Sequence, residues 1–259
     1  MQTGKPVDLH YLDEGQGEPV LMLHGLGSQA ADWQLQLPIL SKSYRVIVPD
    51  VRGHGMSPKP PGPYTMTMMS ADVLALLKRL DLDAVHVIGL SMGGMIGFQM
   101  AVDRPEIVRS LVVVNSTPDL VPRTLGQHLQ AQQRLWLARL AQPRRTGEFL
   151  SRKLFPKPEQ EPFREMLVTQ WAANDKAAYM AAMEACIGWS VLPDVGNIRC
   201  PVLVVSGDRD YLPLEAKRMY TDMMPNARLE VVADSGHATP IDQAEIFNRL
   251  ILEFLESVN

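Results

Sequence analysis

Short apolar runs alternate along most of this chain with segments in which apolar residues recur at helical spacing. Short continuous runs rich in valine and isoleucine are typical of strands buried on both faces, whereas recurrence every three or four residues is typical of amphipathic helices. The runs predict an edge strand over residues 7–13 and further strands over 20–23, 44–48, 85–88, 108–114, 202–205 and 229–232. Helices are expected over 33–40, from Ser70 onward, over 95–102 and 214–223, and from 241 to about 255. This alternation predicts a parallel α/β sheet.

The pattern changes between residues 117 and 195, where no strand-like run is present. Pro156 and Pro158 interrupt a block that otherwise has helical periodicity. It predicts a helical cap over residues 117–195, inserted into a core domain formed by residues 1–116 and 196–259. Three amphipathic helices are expected, marked by Leu125, Leu129, Trp136 and Leu140, by Phe163, Met166, Leu167 and Trp171, and by Tyr179, Met180, Met183 and Ile187.

Composition narrows the class of protein. A chain of 259 residues with 46% hydrophobic residues is long enough for one large domain with a sizeable core. The net charge of -4 gives no electrostatic reason to expect binding to nucleic acid or to an anionic membrane. Residues 1–6 contain no apolar run, so no secretory signal is expected, and no segment approaches the ~20 apolar residues of a membrane span. The two cysteines, Cys186 and Cys200, have no metal-binding or redox spacing, so a reducing, cytoplasmic location is expected. The sequence does not determine the oligomeric state, and a homodimer is one of the states that it allows.

A Gly-x-Ser-x-Gly motif at Gly89, Ser91 and Gly93 follows the apolar run 85–88 and precedes a predicted helix. A serine at the tip of a sharp strand-to-helix turn sits in strained backbone, and side chains at the flanking positions would clash. The turn lifts the hydroxyl above the sheet, beside the free N–H groups of a helix N-terminus. Ser91 is therefore the candidate nucleophile.

A serine nucleophile needs a base, and the base needs an acid. Of the six histidines, only His237 lies in a glycine-flanked loop beyond the last predicted strand. Two carboxylates follow the preceding strand, Asp208 and Asp210, and spacing alone leaves both open as the acid. No His-x-x-x-His pattern or carboxylate cluster indicates a metal site, and no cofactor is expected.

Over nearly its whole length the sequence resembles the α/β-hydrolase superfamily. The resemblance rests on five motifs, which are His24-Gly25-Leu26-Gly27, Asp50-x-Arg52-Gly53-His54-Gly55-x-Ser57, Gly89-Leu90-Ser91-Met92-Gly93-Gly94, Gly207-x-x-Asp210 and Gly236-His237. It implies an eight-stranded, mostly parallel sheet with helices on both faces and a cap inserted after strand six. It also implies a catalytic triad of Ser91, Asp210 and His237, with the backbone N–H groups of Leu26 and Met92 forming an oxyanion hole.

The implied activity is hydrolysis of a carboxylic ester or lactone, a small molecule, through an acyl-serine intermediate. The run around Ser91 and the Pro63-Tyr64-Thr65 segment are similar to enol-lactone hydrolases and to cofactor-free haloperoxidase or perhydrolase-like esterases. A 3-oxoadipate enol-lactonase-like or perhydrolase-like activity is thus an alternative, and so is a non-catalytic ligand-binding protein on the same fold. The apolar cap residues Trp136, Met183 and Trp189 are candidates for binding the acyl group.

Overall fold

The apolar runs form one seven-stranded sheet in the computed structural model, which describes residues 5–258. The strands are β1 (Tyr11–Glu14), β2 (Glu18–Leu23), β3 (Tyr44–Pro49), β4 (Val85–Leu90), β5 (Val108–Val114), β6 (Val202–Gly207) and β7 (Ala227–Val232). Their spatial order is β1-β3-β2-β4-β5-β6-β7. Only β1 is antiparallel, pairing with β3, and every other pair is parallel.

Helices cover both faces of this sheet. They are α1 (Leu37–Leu40), α2 (Met66–Arg79), α3 (Met92–Asp103), α4 (Leu125–Leu140), α5 (Pro143–Leu154), α6 (Glu161–Ala172), α7 (Lys176–Cys186), α8 (Leu214–Met223), α9 (Thr239–Asp242) and α10 (Ala244–Ser257). Short 3₁₀ turns lie at Ala30–Trp33, Pro105–Ile107, Pro158–Gln160 and Leu192–Asn197. One apolar cluster joins the sheet to α2, α3 and α8, and a second joins the opposite face to α1 and α10. None of the helices within residues 5–258 is long and apolar enough to cross a membrane.

The predicted strand count is wrong by one for the part of the chain described, which holds seven strands rather than eight. The segment before β1 directs its backbone donors to side chains instead of to a neighbouring strand. The Val7 N–H donates to Asp72 Oδ1 at 2.8 Å, and the His10 N–H donates to Ser57 Oγ at 2.9 Å. The helical block consequently follows the fifth strand, not the sixth. Most of the N-terminal segment expected to lack a secretory signal, residues 1–4, lies outside the described residues.

The block between β5 and β6 contains four helices, α4 to α7, where the sequence predicts three. The missed helix is α5, whose large apolar residues are only Phe149, Leu150 and Leu154, too few to produce a clear periodicity. It packs on α6, with Gly147 allowing a close approach to Trp171. A small apolar cluster that includes Trp171 and Met183 joins the helices. The domain boundaries at residues 117 and 195 remain a prediction.

Candidate active site

Ser91 lies between β4 and α3 with a backbone φ of 53° and ψ of -114°. This left-handed region is rarely occupied by a residue with a side chain, and the surrounding packing must hold it there. A Cβ added to Gly89 would overlap the Gly93 carbonyl, and one added to Gly93 would overlap the carbonyl of Leu23. The Ser91 N–H donates to the Val114 carbonyl at 2.9 Å, which ties the turn to β5. The motif thus forms the strained turn that its glycines predict.

The first glycine-rich loop lies against this turn. A Cβ built on Gly25 would stand 3.6 Å from Ser91 Cβ. His24 braces the loop, because its Nδ1 lies 2.8 Å from the Gly25 carbonyl and its Nε2 accepts the Val51 N–H at 3.0 Å. Burial lowers the pKa of His24, which favours this neutral state. The loop carries Leu26, and Met92 begins α3, where the first N–H groups have no intrahelical acceptor. Their role in an oxyanion hole remains a prediction.

The structure brings Asp210, and not Asp208, to His237. Asp210 Oδ1 lies 2.7 Å from His237 Nδ1, and its side chain is only 1% exposed. Asp208 instead accepts the Ser235 N–H at 3.0 Å, and its side chain is 41% exposed. An aspartate that accepts a backbone N–H in this way stabilises a turn, and Asp208 has that role here.

A residue that sequence reasoning missed, Tyr211, occupies the other side of the histidine. Its hydroxyl lies 2.9 Å from His237 Nε2, and its ring stacks on the imidazole with centroids 4.2 Å apart. The side chains of Ser91 and Arg134 lie near this hydroxyl, where each acts to lower the pKa of Tyr211. The pKa of Asp210 is lowered, so its carboxylate can only accept, and the His237 proton therefore lies on Nδ1. Nε2 then accepts the O–H of Tyr211, whose pKa is raised by desolvation. This is the tautomer that a general base requires.

A second unpredicted residue, Lys217 on α8, contacts the acid itself. Its Nζ forms an ion pair with Asp210 Oδ2 and donates to Ser206 Oγ at 2.7 Å. Burial raises the pKa of Asp210, but the hydrogen bond and charge of His237 and the charge of Lys217 outweigh it and give a lowered value. The pKa of Lys217 is lowered by burial, and the charge of Asp210 opposes this shift in part. Nothing in the sequence distinguishes Lys217 from an ordinary exposed helix lysine.

The three cap residues expected to bind an acyl group lie in different places. Met183 is 4% exposed, in the cluster against which Leu26 packs, and therefore lies above the glycine-rich loop. Trp136 is 58% exposed on α4, and its role in binding an acyl group remains a prediction. Helical periodicity alone could not say which face of α4 turns inward. Trp189 donates its Nε1 hydrogen to Gln99 Oε1 at 2.7 Å and anchors the end of the cap to α3.

Comparison with known proteins identifies the family. The family described as the alpha/beta hydrolase fold matches residues 18–244 of the chain. This protein is an α/β hydrolase. It is 30% identical to a protein named as a carbamate hydrolase from Stutzerimonas stutzeri, over 95% of this chain and 96% of the relative. It is 29% identical to 3-oxoadipate enol-lactonase 2 from Acinetobacter baylyi, over 99% of this chain and 96% of the relative.

The enol-lactonase from Burkholderia xenovorans LB400 is a solved structure with the same fold. Its TM-score to this α/β hydrolase is 0.89 at 26% identity, with 96% of this chain and 97% of that one covered. The family and these relatives establish an enzyme of the α/β-hydrolase class. Within residues 5–258, no group of three or more His, Cys, Asp or Glu side chains is arranged to hold a metal ion.

Proposed function

We propose that this α/β hydrolase cleaves a carboxylic ester or a lactone through an acyl intermediate on Ser91. The observation that carries the proposal is the chain of contacts from Asp210 through His237 to the Tyr211 hydroxyl beside Ser91. A buried carboxylate on Nδ1 leaves Nε2 as a lone-pair acceptor on the side of the nucleophile. An acid, a base and a strained serine in this order are suited to acyl transfer.

In the proposed acylation, the Ser91 hydroxyl adds to the carbonyl carbon while its proton passes to His237 Nε2. The N–H groups of Leu26 and Met92 are the donors proposed to hold the resulting oxyanion. When the tetrahedral intermediate collapses, the bond to the leaving oxygen breaks and that oxygen takes the proton from Nε2. Water then reacts with the acyl-serine in the same way and releases the carboxylic acid.

In this mechanism, the Tyr211 hydroxyl occupies the position of the oxygen that exchanges a proton with His237 Nε2 in each step. This hydroxyl is within hydrogen-bond distance of Nε2 and lies near Ser91, which is the place proposed for the leaving oxygen during acylation and for water during deacylation. The Tyr211 hydroxyl must therefore move away before the substrate or the water can occupy that position.

The relatives' names support acyl chemistry without selecting one substrate. An enol-lactone and a carbamate both present a carbonyl carbon bearing a heteroatom leaving group, and the same serine chemistry acts on either. The apolar cluster around Met183, above the loop that carries Leu26, favours an uncharged, apolar acyl portion. We therefore place simple esters and lactones first.

The test is a pre-steady-state assay with p-nitrophenyl acetate. Wild-type protein should release a burst of about one p-nitrophenol per chain, because acylation precedes a slower deacylation. Ser91→Ala should abolish the burst and lower kcat/KM by about 10⁴- to 10⁶-fold. Ser116→Ala is the matched control, since its hydroxyl donates only to the Ser91 carbonyl at 2.6 Å, and it should stay within about tenfold of wild type.

Two outcomes would contradict the proposal. Saturable ester binding without any p-nitrophenol release would favour the non-catalytic ligand-binding alternative. More than a tenth of wild-type activity in purified Ser91→Ala protein would show that another group is the nucleophile.

A further inference from the structure

The buried ammonium group of Lys217 shares the carboxylate of Asp210 with His237. Lys217 projects from the first turn of α8, and its side chain is 1% exposed. One carboxylate oxygen, Oδ2, pairs with Lys217 Nζ, while the other, Oδ1, lies 2.7 Å from His237 Nδ1. Burying a lysine costs free energy of folding unless its ammonium group is paired and hydrogen-bonded, so Lys217 Nζ must keep its contact with Asp210. Lys217 and His237 together thus hold both carboxylate oxygens of Asp210.

Asn115 connects this lysine to the loop that carries the histidine. Its Oδ1 lies 3.3 Å from Lys217 Nζ and also accepts the Gly207 N–H at 2.9 Å. Its Nδ2 donates to the His237 carbonyl at 2.9 Å and to Thr239 Oγ1 at 2.8 Å. The acid loop, helix α8 and the histidine loop are thus joined through one fully buried side chain.

The charges around the histidine give Lys217 an electrostatic effect in addition to a geometric one. The imidazole faces Asp210 on its Nδ1 side and the Tyr211 phenol on its Nε2 side. Farther out, the charge of Arg134 acts to lower the pKa of Tyr211, and Lys153 Nζ lies 5.1 Å from the Tyr211 ring centroid. Lys217 is the cation that shares the carboxylate with the imidazole, and it neutralises part of the negative charge that would otherwise stabilise an imidazolium.

We propose that Lys217 is a positioning residue for the acyl-transfer reaction: it holds Asp210 toward His237, and its charge opposes the addition of a second cation to the shared carboxylate. The inference rests on the proposed function. With the lysine charged, adding a proton to His237 places two cations around one buried carboxylate. Without the lysine charge, the protonated imidazole and the Asp210 carboxylate form a pair with no net charge. Protonation of His237, which removes the base, should therefore require a lower pH in the wild type than in a variant without the lysine charge.

The experiment compares the pH dependence of kcat/KM for p-nitrophenyl acetate between the wild type and four variants. Lys217→Met removes the charge at similar volume, and Lys217→Gln removes the charge but keeps a hydrogen-bond donor. In both variants the acid limb should move upward by about one pH unit, as expected for a charge a few ångströms away in a partly polarisable interior. Lys217→Arg should keep the wild-type limb. Arg218→Met, which removes a cation from the exposed side of the same helix, is the matched control and should not move it.

A second measurement follows the imidazole resonances of His237 by NMR as a function of pH, with the signal assigned by its loss in His237→Gln. The midpoint should rise in Lys217→Met and Lys217→Gln, and this readout does not depend on turnover. An unmoved or lowered midpoint, with only stability or kcat reduced, would overturn the proposal and leave Lys217 a structural role. A raised midpoint in a protein that shows no acyl burst would instead uphold the Lys217 effect and contradict the proposed function. Lys217→Gln carries the test if Lys217→Met does not fold.

Discussion

At the scale of single residues, the proposed mechanism makes the Tyr211 hydroxyl a competitor of the substrate for His237. It is bonded to His237 Nε2 at 2.9 Å, and its ring covers the imidazole. A neutral hydrogen bond contributes about 1 kcal/mol net, which corresponds to roughly fivefold in rate. Tyr211→Phe keeps the stacked ring and removes the competitor, so kcat/KM for p-nitrophenyl acetate should rise by about two- to fivefold. Tyr11→Phe, far from the site on β1, is the control and should leave the rate unchanged.

The opposite result at this residue would be equally informative. A fall of about a hundredfold or more in Tyr211→Phe would exceed the loss of one neutral hydrogen bond. It would mean that the phenol transfers the proton between Ser91 and His237. The proposal that the Tyr211 hydroxyl must move away from His237 before the substrate binds would then be wrong.

At the scale of elements, the cap helices differ in which side they present to the core. Met183 on α7 packs in the cluster that reaches Leu26, whereas Trp136 on α4 is 58% exposed and lies outside that cluster. Each buried methylene contributes about 0.8 kcal/mol, or roughly fourfold in binding. Met183→Ala enlarges the space above the loop, so the ratio of kcat/KM for octanoyl to acetyl p-nitrophenyl esters should rise by about fourfold or more. Trp136→Ala should leave this ratio unchanged. If only the Trp136 variant changes it, the acyl chain binds along the outer side of α4.

At the scale of the whole molecule, a buried histidine makes the fold sensitive to acid. Desolvation lowers the pKa of His54 to about 3, with the neighbouring His24 opposing its charge as well. Below about pH 6.5 the unfolded chain protonates this imidazole while the folded protein keeps it neutral, so acid favours unfolding until the pH falls through the folded value. The free energy of unfolding should drop by about 2 kcal/mol between pH 7 and pH 5 from this group.

Urea unfolding at the two pH values checks this expectation. His54→Asn should show a smaller drop than wild type, even if the variant is less stable at pH 7. His128→Asn removes an exposed histidine from α4 and should show the wild-type drop. Equal drops in all three proteins would mean that other groups account for the acid sensitivity.

The chain's local patterns were enough to predict the parallel α/β architecture and to single out Ser91 as the candidate nucleophile. Buried parallel strands and amphipathic helices have different apolar periods, so their alternation could be read before any contact was known. Gly89 and Gly93 are required because a Cβ at either position would overlap backbone atoms close to the Ser91 turn. The two glycines of the motif therefore show this requirement in the sequence itself. The resemblance to α/β hydrolases rests on the same local turns, and the family match confirms it.

Only the tertiary structure decided which polar groups meet, because those contacts join loops far apart in sequence. Asp208 and Asp210 follow the same strand, and their roles separate only when the loop of His237 is in place. The strand count depended on whether the first residues bond to a strand or to side chains such as Asp72. Lys217 lies seven residues beyond Asp210, and no local pattern marks a lysine as buried. Its burial follows from the way α8 packs against β6 and β7 beneath the acid loop.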